Sequence, residues 1–195
     1  MPPRAGRPGG LLLTPGAGSD RDHHTLVALA DGLAPLPVGR FDFPYRKAGR
    51  RAPDRAPTLI ESVRADAAAF AAEHRFRPHR LLLGGRSMGG RMCSMAVAAG
   101  LAARGLVLLS YPLHPPGKPD RLRVEHFGAL EVPVLFVSGT RDPFATPGEL
   151  AEHAEAIPGP VTIHLIEGAR HDVPRADDEI VAVVRDWIDA LPPPR

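Results

Sequence analysis

The chain has 195 residues, of which 44% are hydrophobic and 24% are charged, and its formal net charge at pH 7 is +2. This length is typical of one globular domain, and the composition excludes collagen-like, coiled-coil and wholly disordered proteins. The small basic excess gives no reason to expect binding to nucleic acid.

The single cysteine, Cys93, excludes an internal disulfide and a cysteine-rich zinc site, which fits a reducing compartment. No segment reaches the roughly 18 to 20 apolar residues of a membrane span. The first ten residues also lack the pattern of a signal peptide. We therefore expect a cytoplasmic protein without a membrane anchor, in which residues 10–191 form one domain between flexible tails at 1–9 and 192–195.

Six short apolar runs alternate with helical or loop-like segments, which is the pattern of a parallel sheet with crossover helices. Several runs are continuous in Leu, Val or Ile, as in strands that are covered on both faces. The runs lie at 11–13, 36–43, 80–84, 105–109, 132–138 and 161–166. The sequence predicts an α/β fold, a three-layer sandwich with helices on both faces of a six-stranded parallel sheet in the order 2-1-3-4-5-6.

Three of the helices have start or packing signals. Thr58 and Glu61 form a T-x-x-E capping box, which predicts a helix over residues 58–74. Thr146, followed by proline and then by glutamate, repeats the start signal for a second helix. The last helix has an apolar stripe and ends at three prolines. The stripe consists of Ile180, Val183, Val184, Trp187, Ile188 and Leu191.

Ser87 lies in the sequence Gly-Arg-Ser-Met-Gly, between a predicted buried strand and an alanine-rich helical segment. A G-x-S-x-G nucleophile elbow requires this strand, turn and helix context. The serine lies in a strained turn, where side chains two positions before and after it would collide, so glycine is needed at 85 and 89. The pattern favours a nucleophilic serine over a structural turn.

A serine hydroxyl is a weak nucleophile at pH 7 and needs a base that is oriented by an acid. In this architecture the acid and then the histidine follow the serine, each just beyond the C-terminal end of a strand. Asp142 follows the fifth apolar run and His171 follows the sixth, so we interpret them as acid and base. Asp172 is a rival acid, but a residue adjacent to a histidine seldom reaches its Nδ1.

Eight other histidines compete for the role of base. His114 and His126 lie on loops at the correct end of the sheet, but they precede Asp142 in the chain. The other six are interpreted as surface or structural residues: His23, His24, His74, His79, His153 and His164.

Charge that develops on a carbonyl oxygen needs two N–H donors, each of which lowers the barrier by roughly 3 kcal/mol. The amide of Met88, at the start of the helix after the elbow, is one candidate. The amide of Ala17, in the loop after the first strand, is the other. Gly16 and Gly18 let this loop approach the substrate closely. A phosphate-cradling loop is the alternative, but G-x-x-x-x-G-K and a full G-x-G-x-x-G are absent.

The proline-rich segment 111–119 is expected to wall the pocket, with Tyr111 and His114 binding substrate, or to act as a rigid connector. Arg86 beside the serine and Arg141 beside the acid either attract an anionic substrate or form ion pairs with acidic residues.

The densest basic run lies at 46–55 and is either a solvated loop or a site for phosphates or acidic partners. Cys93 follows Ser87 by six residues, on the same helix. It is interpreted as a small buried hydrophobic residue rather than a second nucleophile.

Five segments resemble small cap-less members of the α/β-hydrolase superfamily, in particular the hydrolase-like family that includes dienelactone-hydrolase-like proteins and a chromatin-complex subunit. The segments are 15–18, 43–45, 85–91, 111–118 and 140–144. The resemblance covers nearly the whole chain and implies a minimal fold with Ser87, Asp142 and His171 as nucleophile, acid and base. Relatives commonly have His-Gly where this chain has Pro-Gly at 15–16.

These residues predict a serine hydrolase that cleaves carboxylic esters or thioesters of small acyl groups through an acyl-enzyme, with no metal or organic cofactor. The expected partner is a small-molecule ester, and neither nucleic acid nor a membrane is expected. Without a cap the pocket should be shallow and open. The alternative is a non-catalytic protein-interaction module that keeps the fold.

Overall fold

A computed structural model describes residues 7–193 and forms one sheet of six parallel strands in the order β2-β1-β3-β4-β5-β6. The predicted topology is therefore confirmed. The strands are β1 (Gly10–Thr14), β2 (Val38–Arg40), β3 (Leu81–Arg86), β4 (Gly105–Leu109), β5 (Val134–Gly139) and β6 (Val161–Ile166). The helices are α1 (His24–Gly32), α2 (Pro44–Lys47), α3 (Ala56–Glu73), α4 (Met88–Ala98), α5 (Pro147–Ala154) and α6 (Asp177–Ala190).

Two apolar layers cover the sheet, one on each face. On one face, residues of α3, α4 and α5 pack against Leu12, Leu83, Leu108 and Phe136. On the other face, residues of α1 and α6 pack against neighbouring strand positions, which are Leu11, Leu13, Leu82, Val107 and Leu135. Successive strand residues thus enter opposite layers. This explains why the central strands are continuous apolar runs rather than alternating ones.

The last helix, α6, packs as its sequence pattern predicts. Ile180, Val184 and Trp187 are buried against the sheet, and the other apolar members of the stripe are partly buried. Burial of each large apolar side chain contributes about 1.5 to 3 kcal/mol, so this stripe is sufficient to hold the helix in place.

The sequence predicts capping signals at the starts of α5 and α3, and the structure shows one of them. At α5, Thr146 Oγ1 accepts from the Glu149 amide at 3.3 Å, and a Glu149 carboxylate oxygen accepts from the Thr146 amide at 2.8 Å. At α3 the predicted capping box is wrong, because the helix begins at Ala56 without a side-chain cap. Pro57 has a fixed φ that suits the first helical turn, and Thr58 is therefore already inside the helix.

The N-terminal end of the described chain is attached to the domain. Within the predicted N-terminal tail, Gly9 donates its amide hydrogen to the Arg80 carbonyl at 2.8 Å, and Arg7 pairs with Asp189 at 2.9 Å. The rest of that tail, residues 1–6, and residues 194–195 lie outside the described residues. Between residues 7 and 193, no helix has both the length and the apolar character needed to cross a bilayer.

The sheet order determines where a site can form. Chain connections leave the neighbouring strands β1 and β3 in opposite directions across the sheet, and a crevice opens outside the carboxyl ends of strands at such a point. The loops after β1, β3, β5 and β6 all lie at this edge. Together with Met88, the first residue of α4, they contain every residue that the sequence assigns to the triad and the oxyanion hole.

Candidate active site

Ser87 occupies the turn between β3 and α4 with φ 51° and ψ −117°. A positive φ is uncommon for a residue with a side chain and costs about 1 to 3 kcal/mol, which the surrounding structure must offset. The Ser87 amide donates to the Leu109 carbonyl at the end of β4, at 2.8 Å. This bond and the adjoining helix hold the strained turn in place.

The glycines on either side of the serine are required sterically. A Cβ at Gly85 would lie 2.4 Å from the Thr14 carbonyl oxygen, and one at Gly89 would lie 2.5 Å from the Pro15 carbonyl oxygen. Both contacts are with backbone atoms of β1 or of the loop that follows it, which cannot rotate away as a side chain could. The pattern G-x-S-x-G thus allows β1 and its loop to approach the elbow.

The three predicted triad residues are joined by hydrogen bonds, from Ser87 to His171 and from His171 to Asp142. His171 Nε2 is 2.9 Å from Ser87 Oγ. On the other side of the ring, Nδ1 is 2.8 Å and 3.0 Å from the two carboxylate oxygens of Asp142. With Nδ1 protonated, His171 donates to Asp142, and its Nε2 is free to accept the serine proton.

The surroundings of Asp142 and His171 fix their orientation. The Asp142 side chain is fully buried and accepts a hydrogen bond from the Phe144 amide at 2.9 Å. The Phe144 ring lies against the imidazole of His171, with 4.1 Å between ring centroids. The carboxylate of Asp142 is thus held away from solvent, whereas the imidazole of His171 remains partly exposed to solvent.

Asp172, the rival acid, has a different partner. It forms an ion pair with Arg86, and Arg86 also donates to the His171 carbonyl oxygen at 3.0 Å. Burial lowers the pKa of Arg86, and the nearby carboxylates of Asp172 and Asp142 oppose this effect. Of the two roles considered for Arg86, attraction of an anionic substrate or an ion pair with an acidic residue, the structure therefore shows the ion pair. This side chain fastens the loop that contains His171 to the elbow.

The two predicted oxyanion donors, the amides of Ala17 and Met88, both belong to residues that border the cavity beside Ser87. A Cβ at Gly16 would lie 3.6 Å from the Ser87 Cβ, so the loop packs directly against Ser87. Within residues 7–193 neither amide donates a hydrogen bond. At Met88 this is usual, because the first N–H groups of a helix lack partners inside the helix.

A residue that the sequence analysis did not select, Tyr45, supports this loop. Its side chain is fully buried, and its hydroxyl donates to the Ala17 carbonyl oxygen at 3.0 Å. The bond fixes the orientation of the peptide that follows the proposed oxyanion donor. The only sequence signal was the position of Tyr45 in one of the segments that carry the family resemblance.

The structure does not place Tyr111 or His114 at the cavity, contrary to the sequence prediction. Tyr111 is buried in the core, where its hydroxyl donates to the Arg123 carbonyl at 2.9 Å, and burial raises its pKa. His114 is also buried, with Nδ1 2.8 Å from the Pro115 carbonyl oxygen. From this segment only Pro112 borders the cavity, because the preceding and following side chains are directed into the protein.

The cavity beside Ser87 has a volume of about 740 Å³. Besides the residues already described, two arginines border it, Arg91 and Arg123. Arg91 could have been found from the sequence, because it follows Ser87 by four residues on a helix and so lies on the same side. Arg123 had no such signal, since it belongs to a loop. The remaining lining residues are Gly18, Ser19 and His23.

Two other reactive side chains near the elbow have structural roles. Burial raises the pKa of the Cys93 thiol to about 12, and the thiol donates to the Gly84 carbonyl oxygen at 3.2 Å. Ser94 is fully buried, and its hydroxyl lies 2.7 Å from His126 Nε2 and 2.8 Å from the Arg91 carbonyl oxygen. A buried thiol and a buried hydroxyl cannot reach a substrate in the cavity.

Replacing His126 by glutamine should reduce the acid sensitivity of the fold. Burial, helped by the charge of Arg91, lowers the pKa of His126 from 6.5 to about 4. The unfolded chain therefore binds a proton between these pH values that the folded chain does not, and stability falls as the pH drops. Between pH 7 and pH 5 the wild type should lose about 1 to 2 kcal/mol more than His126→Gln.

Urea unfolding at the two pH values would measure this difference. The matched control is His79→Gln, because His79 is exposed in the turn before β3. The control should keep the wild-type pH dependence. Equal pH dependence in wild type and His126→Gln would contradict the prediction.

The basic run at 46–55 is compensated by carboxylates. Arg50 pairs with Asp54 at 2.8 Å, and Lys47 lies 3.5 Å from Asp66. Arg46 lies 3.5 Å from Asp20. The structure therefore favours the solvated-loop alternative for this run. The other arginine for which an anionic substrate was considered, Arg141, is exposed and does not border the cavity.

Among residues 7–193, no group of three or more His, Cys, Asp and Glu side chains is arranged to hold a metal ion.

The profile of a family described as an alpha/beta hydrolase domain matches residues 8–182.

Several solved structures share this fold. A dienelactone hydrolase from Anabaena variabilis is 18% identical, with a TM-score of 0.76 over 97% of this chain and 88% of that one. Est1E from Butyrivibrio proteoclasticus, with ferulic acid bound, is 13% identical, with a TM-score of 0.73 over 93% and 89%. An alpha-beta serine hydrolase homologue from Coxiella burnetii is 16% identical, with a TM-score of 0.71 over 95% and 86%. At these identities the similarity concerns the fold.

Proposed function

Since the chain belongs to the alpha/beta hydrolase domain family, we propose that it is a serine hydrolase that cleaves carboxylic esters or thioesters of small acyl groups. The observation that carries the proposal is the continuous set of hydrogen bonds from Ser87 through His171 to Asp142, at 2.9 Å and 2.8 Å. A nucleophile, a base and an orienting acid in this arrangement are what acyl transfer to serine requires.

In the proposed reaction, Ser87 Oγ attacks the ester carbonyl carbon while His171 Nε2 takes the hydroxyl proton. The tetrahedral intermediate then collapses, the bond to the leaving group breaks, and His171 returns the proton to the departing oxygen or sulfur. Water attacks the resulting acyl-enzyme by the same route in reverse and releases the acid. Asp142 stays ionised throughout and stabilises the imidazolium.

The negative charge on the carbonyl oxygen would be stabilised by the amides of Met88 and Ala17. Each donor of this kind lowers the barrier by roughly 3 kcal/mol when it is fixed before the reaction begins. Three contacts fix the loop that contains Ala17: the bond from Tyr45, the close approach of Gly16 to Ser87, and the contact of Gly89 with the loop backbone.

The preference for small or exposed acyl groups is supported by the surroundings of Ser87. Within residues 7–193, the segments that border the cavity are loops, the end of β3 and the start of α4, with no inserted domain over them. A dienelactone hydrolase and a serine hydrolase homologue share the fold, which supports hydrolysis as the class of reaction.

A fluorophosphonate probe, which reacts with activated serines, tests the proposal directly. The wild type should be labelled, and Ser87→Ala should not. The matched control is Ser138→Ala, whose hydroxyl is buried without a hydrogen-bond partner at the end of β5. That variant should be labelled like the wild type. Absence of labelling in the wild type would favour the non-catalytic interaction module.

Hydrolysis of p-nitrophenyl acetate tests the base separately. Replacing His171 by alanine removes the group that accepts the serine proton, so turnover should fall to a small fraction of the wild-type rate. Hydrolysis that continues unchanged in His171→Ala would show that another group is the base.

A further inference from the structure

We propose that the substrate carries an anionic group, a carboxylate or a phosphate, and that Arg91 and Arg123 bind this group beside Ser87. The inference rests on the proposed function, because it names the substrate class of that same site. The inference adds to the proposed function a role in substrate recognition for Arg91 and Arg123, which take no part in the acyl-transfer chemistry.

Arg91 and Arg123 both lie beside Ser87. Arg91 is the fourth residue of α4, four residues after the nucleophile, and Arg123 lies in the loop between β4 and β5. Both border the cavity that contains Ser87. Their backbones are fixed: the Arg123 carbonyl oxygen accepts from the buried Tyr111, and the Arg91 carbonyl oxygen accepts from the buried Ser94. The two guanidinium groups are therefore attached to rigid supports at one side of the reacting centre.

The wall of the cavity carries an excess of positive charge. Three arginines and one carboxylate, Asp172, border the cavity. The carboxylate is already paired with Arg86. Within residues 7–193, neither Arg91 nor Arg123 has a carboxylate oxygen within 4.0 Å. Two positive charges at the wall are thus left without a protein counter-ion.

The side chains of Arg91 and Arg123 are partly shielded from water. Both are half-buried, and the buried Nε of Arg91 has no hydrogen-bond partner. Partial burial, together with the positive charge of Arg91, lowers the pKa of Arg123. Partial burial of two like charges close to each other costs free energy unless an anion binds between them. A carboxylate or phosphate suits this place because its oxygens match the planar fork of a guanidinium group.

Matched ester pairs provide the test. The anionic esters are 4-acetoxybenzoate and 4-acetoxyphenyl phosphate, with the charge on the leaving group, and mono-4-nitrophenyl adipate, with the charge on the acyl group. Their neutral partners are, in the same order, the methyl ester of 4-acetoxybenzoate, the dimethyl ester of 4-acetoxyphenyl phosphate and methyl 4-nitrophenyl adipate. In the wild type, kcat/KM for at least one anionic ester should exceed that of its neutral partner about tenfold or more. High salt should reduce this preference.

In Arg91→Gln and Arg123→Gln the ratio of anionic to neutral kcat/KM should fall severalfold, and in the double variant it should approach one. Arg121→Gln is the matched control, because Arg121 is exposed on the same loop and does not border the cavity. This control should keep the wild-type ratio. Circular dichroism and thermal unfolding would establish that each variant is folded.

The outcomes separate the inference from the proposed function. Hydrolysis that depends on Ser87 but shows no preference for anionic esters would overturn the inference. A preference that persists in the double variant would also overturn it. Both results would leave the proposed hydrolase function unaffected. If no ester is turned over, titration calorimetry of Ser87→Ala with 4-acetoxybenzoate decides the question. Binding that is lost on adding the two arginine substitutions supports the anion site, and absence of binding overturns it.

Discussion

Replacing Asp142 by asparagine should lower kcat/KM for ester hydrolysis by about 10³-fold to 10⁴-fold. The buried carboxylate accepts from His171 Nδ1 at 2.8 Å, so it selects the tautomer whose Nε2 can take the serine proton. An amide at this position can donate to the ring instead and hold the wrong tautomer. It also carries no charge to stabilise the imidazolium. Steady-state hydrolysis of p-nitrophenyl acetate would measure the loss.

The matched control is Asp172→Asn, which changes the neighbouring carboxylate in the same way. Asp172 is exposed and paired with Arg86, so its replacement loosens the loop around His171 without altering the bond from the ring to the acid. We expect a loss of less than about tenfold, because the carboxylate of this pair is exposed and Arg86 keeps its hydrogen bond to the His171 carbonyl oxygen. A larger loss in Asp172→Asn than in Asp142→Asn would exchange the roles of the two carboxylates.

The sheet could be predicted from the sequence because its strands carry strong local signals. Buried parallel strands are continuous apolar runs, and right-handed crossovers restrict the orders in which they can assemble. β2 is the exception, since the apolar run at 36–43 provides only Val38–Arg40 to the sheet. Pro37 has no N–H for a ladder bond, and Phe43 turns into the core beneath α3. The extent of an edge strand thus depends on packing that the local pattern does not specify.

The residues of the proposed triad could be located for a related reason. Ser87, Asp142 and His171 each lie just beyond a strand, and the carboxyl ends of parallel strands share one edge of the sheet. Chain order then distinguished His171 from the histidines on earlier loops. Backbone topology alone was therefore enough to bring these three side chains together.

The wall of the cavity was harder to predict, because it depends on the direction of side chains in irregular segments. Tyr111 follows a strand and lies in a segment shared with relatives, yet its ring is directed into the core, where Phe127 and Phe136 surround it. Arg123 reaches the cavity because the loop that contains it is tied to the Tyr111 hydroxyl. No periodicity in the sequence determines such a contact.

Replacing Gly89 by alanine should destabilise the fold by about 1 to 3 kcal/mol or more and lower the rate of hydrolysis about 100-fold or more. The added Cβ would lie 2.5 Å from the backbone oxygens of both Thr14 and Pro15. These atoms begin the loop that holds the Ala17 amide, so relief of the clash moves the proposed oxyanion donor. Urea unfolding and kcat for p-nitrophenyl acetate would measure the two effects.

Gly148→Ala is a close control for this substitution. Gly148 is the second residue of α5, as Gly89 is of α4, and a Cβ there meets no atom within 4 Å. Alanine is favoured over glycine in helices by up to about 1 kcal/mol, so this variant should be as stable as the wild type or more stable, with unchanged kcat. The same substitution at the same helical position should therefore have opposite signs in the two helices. If both variants were stabilised, the close approach of the loop to the elbow could not be what requires glycine at position 89.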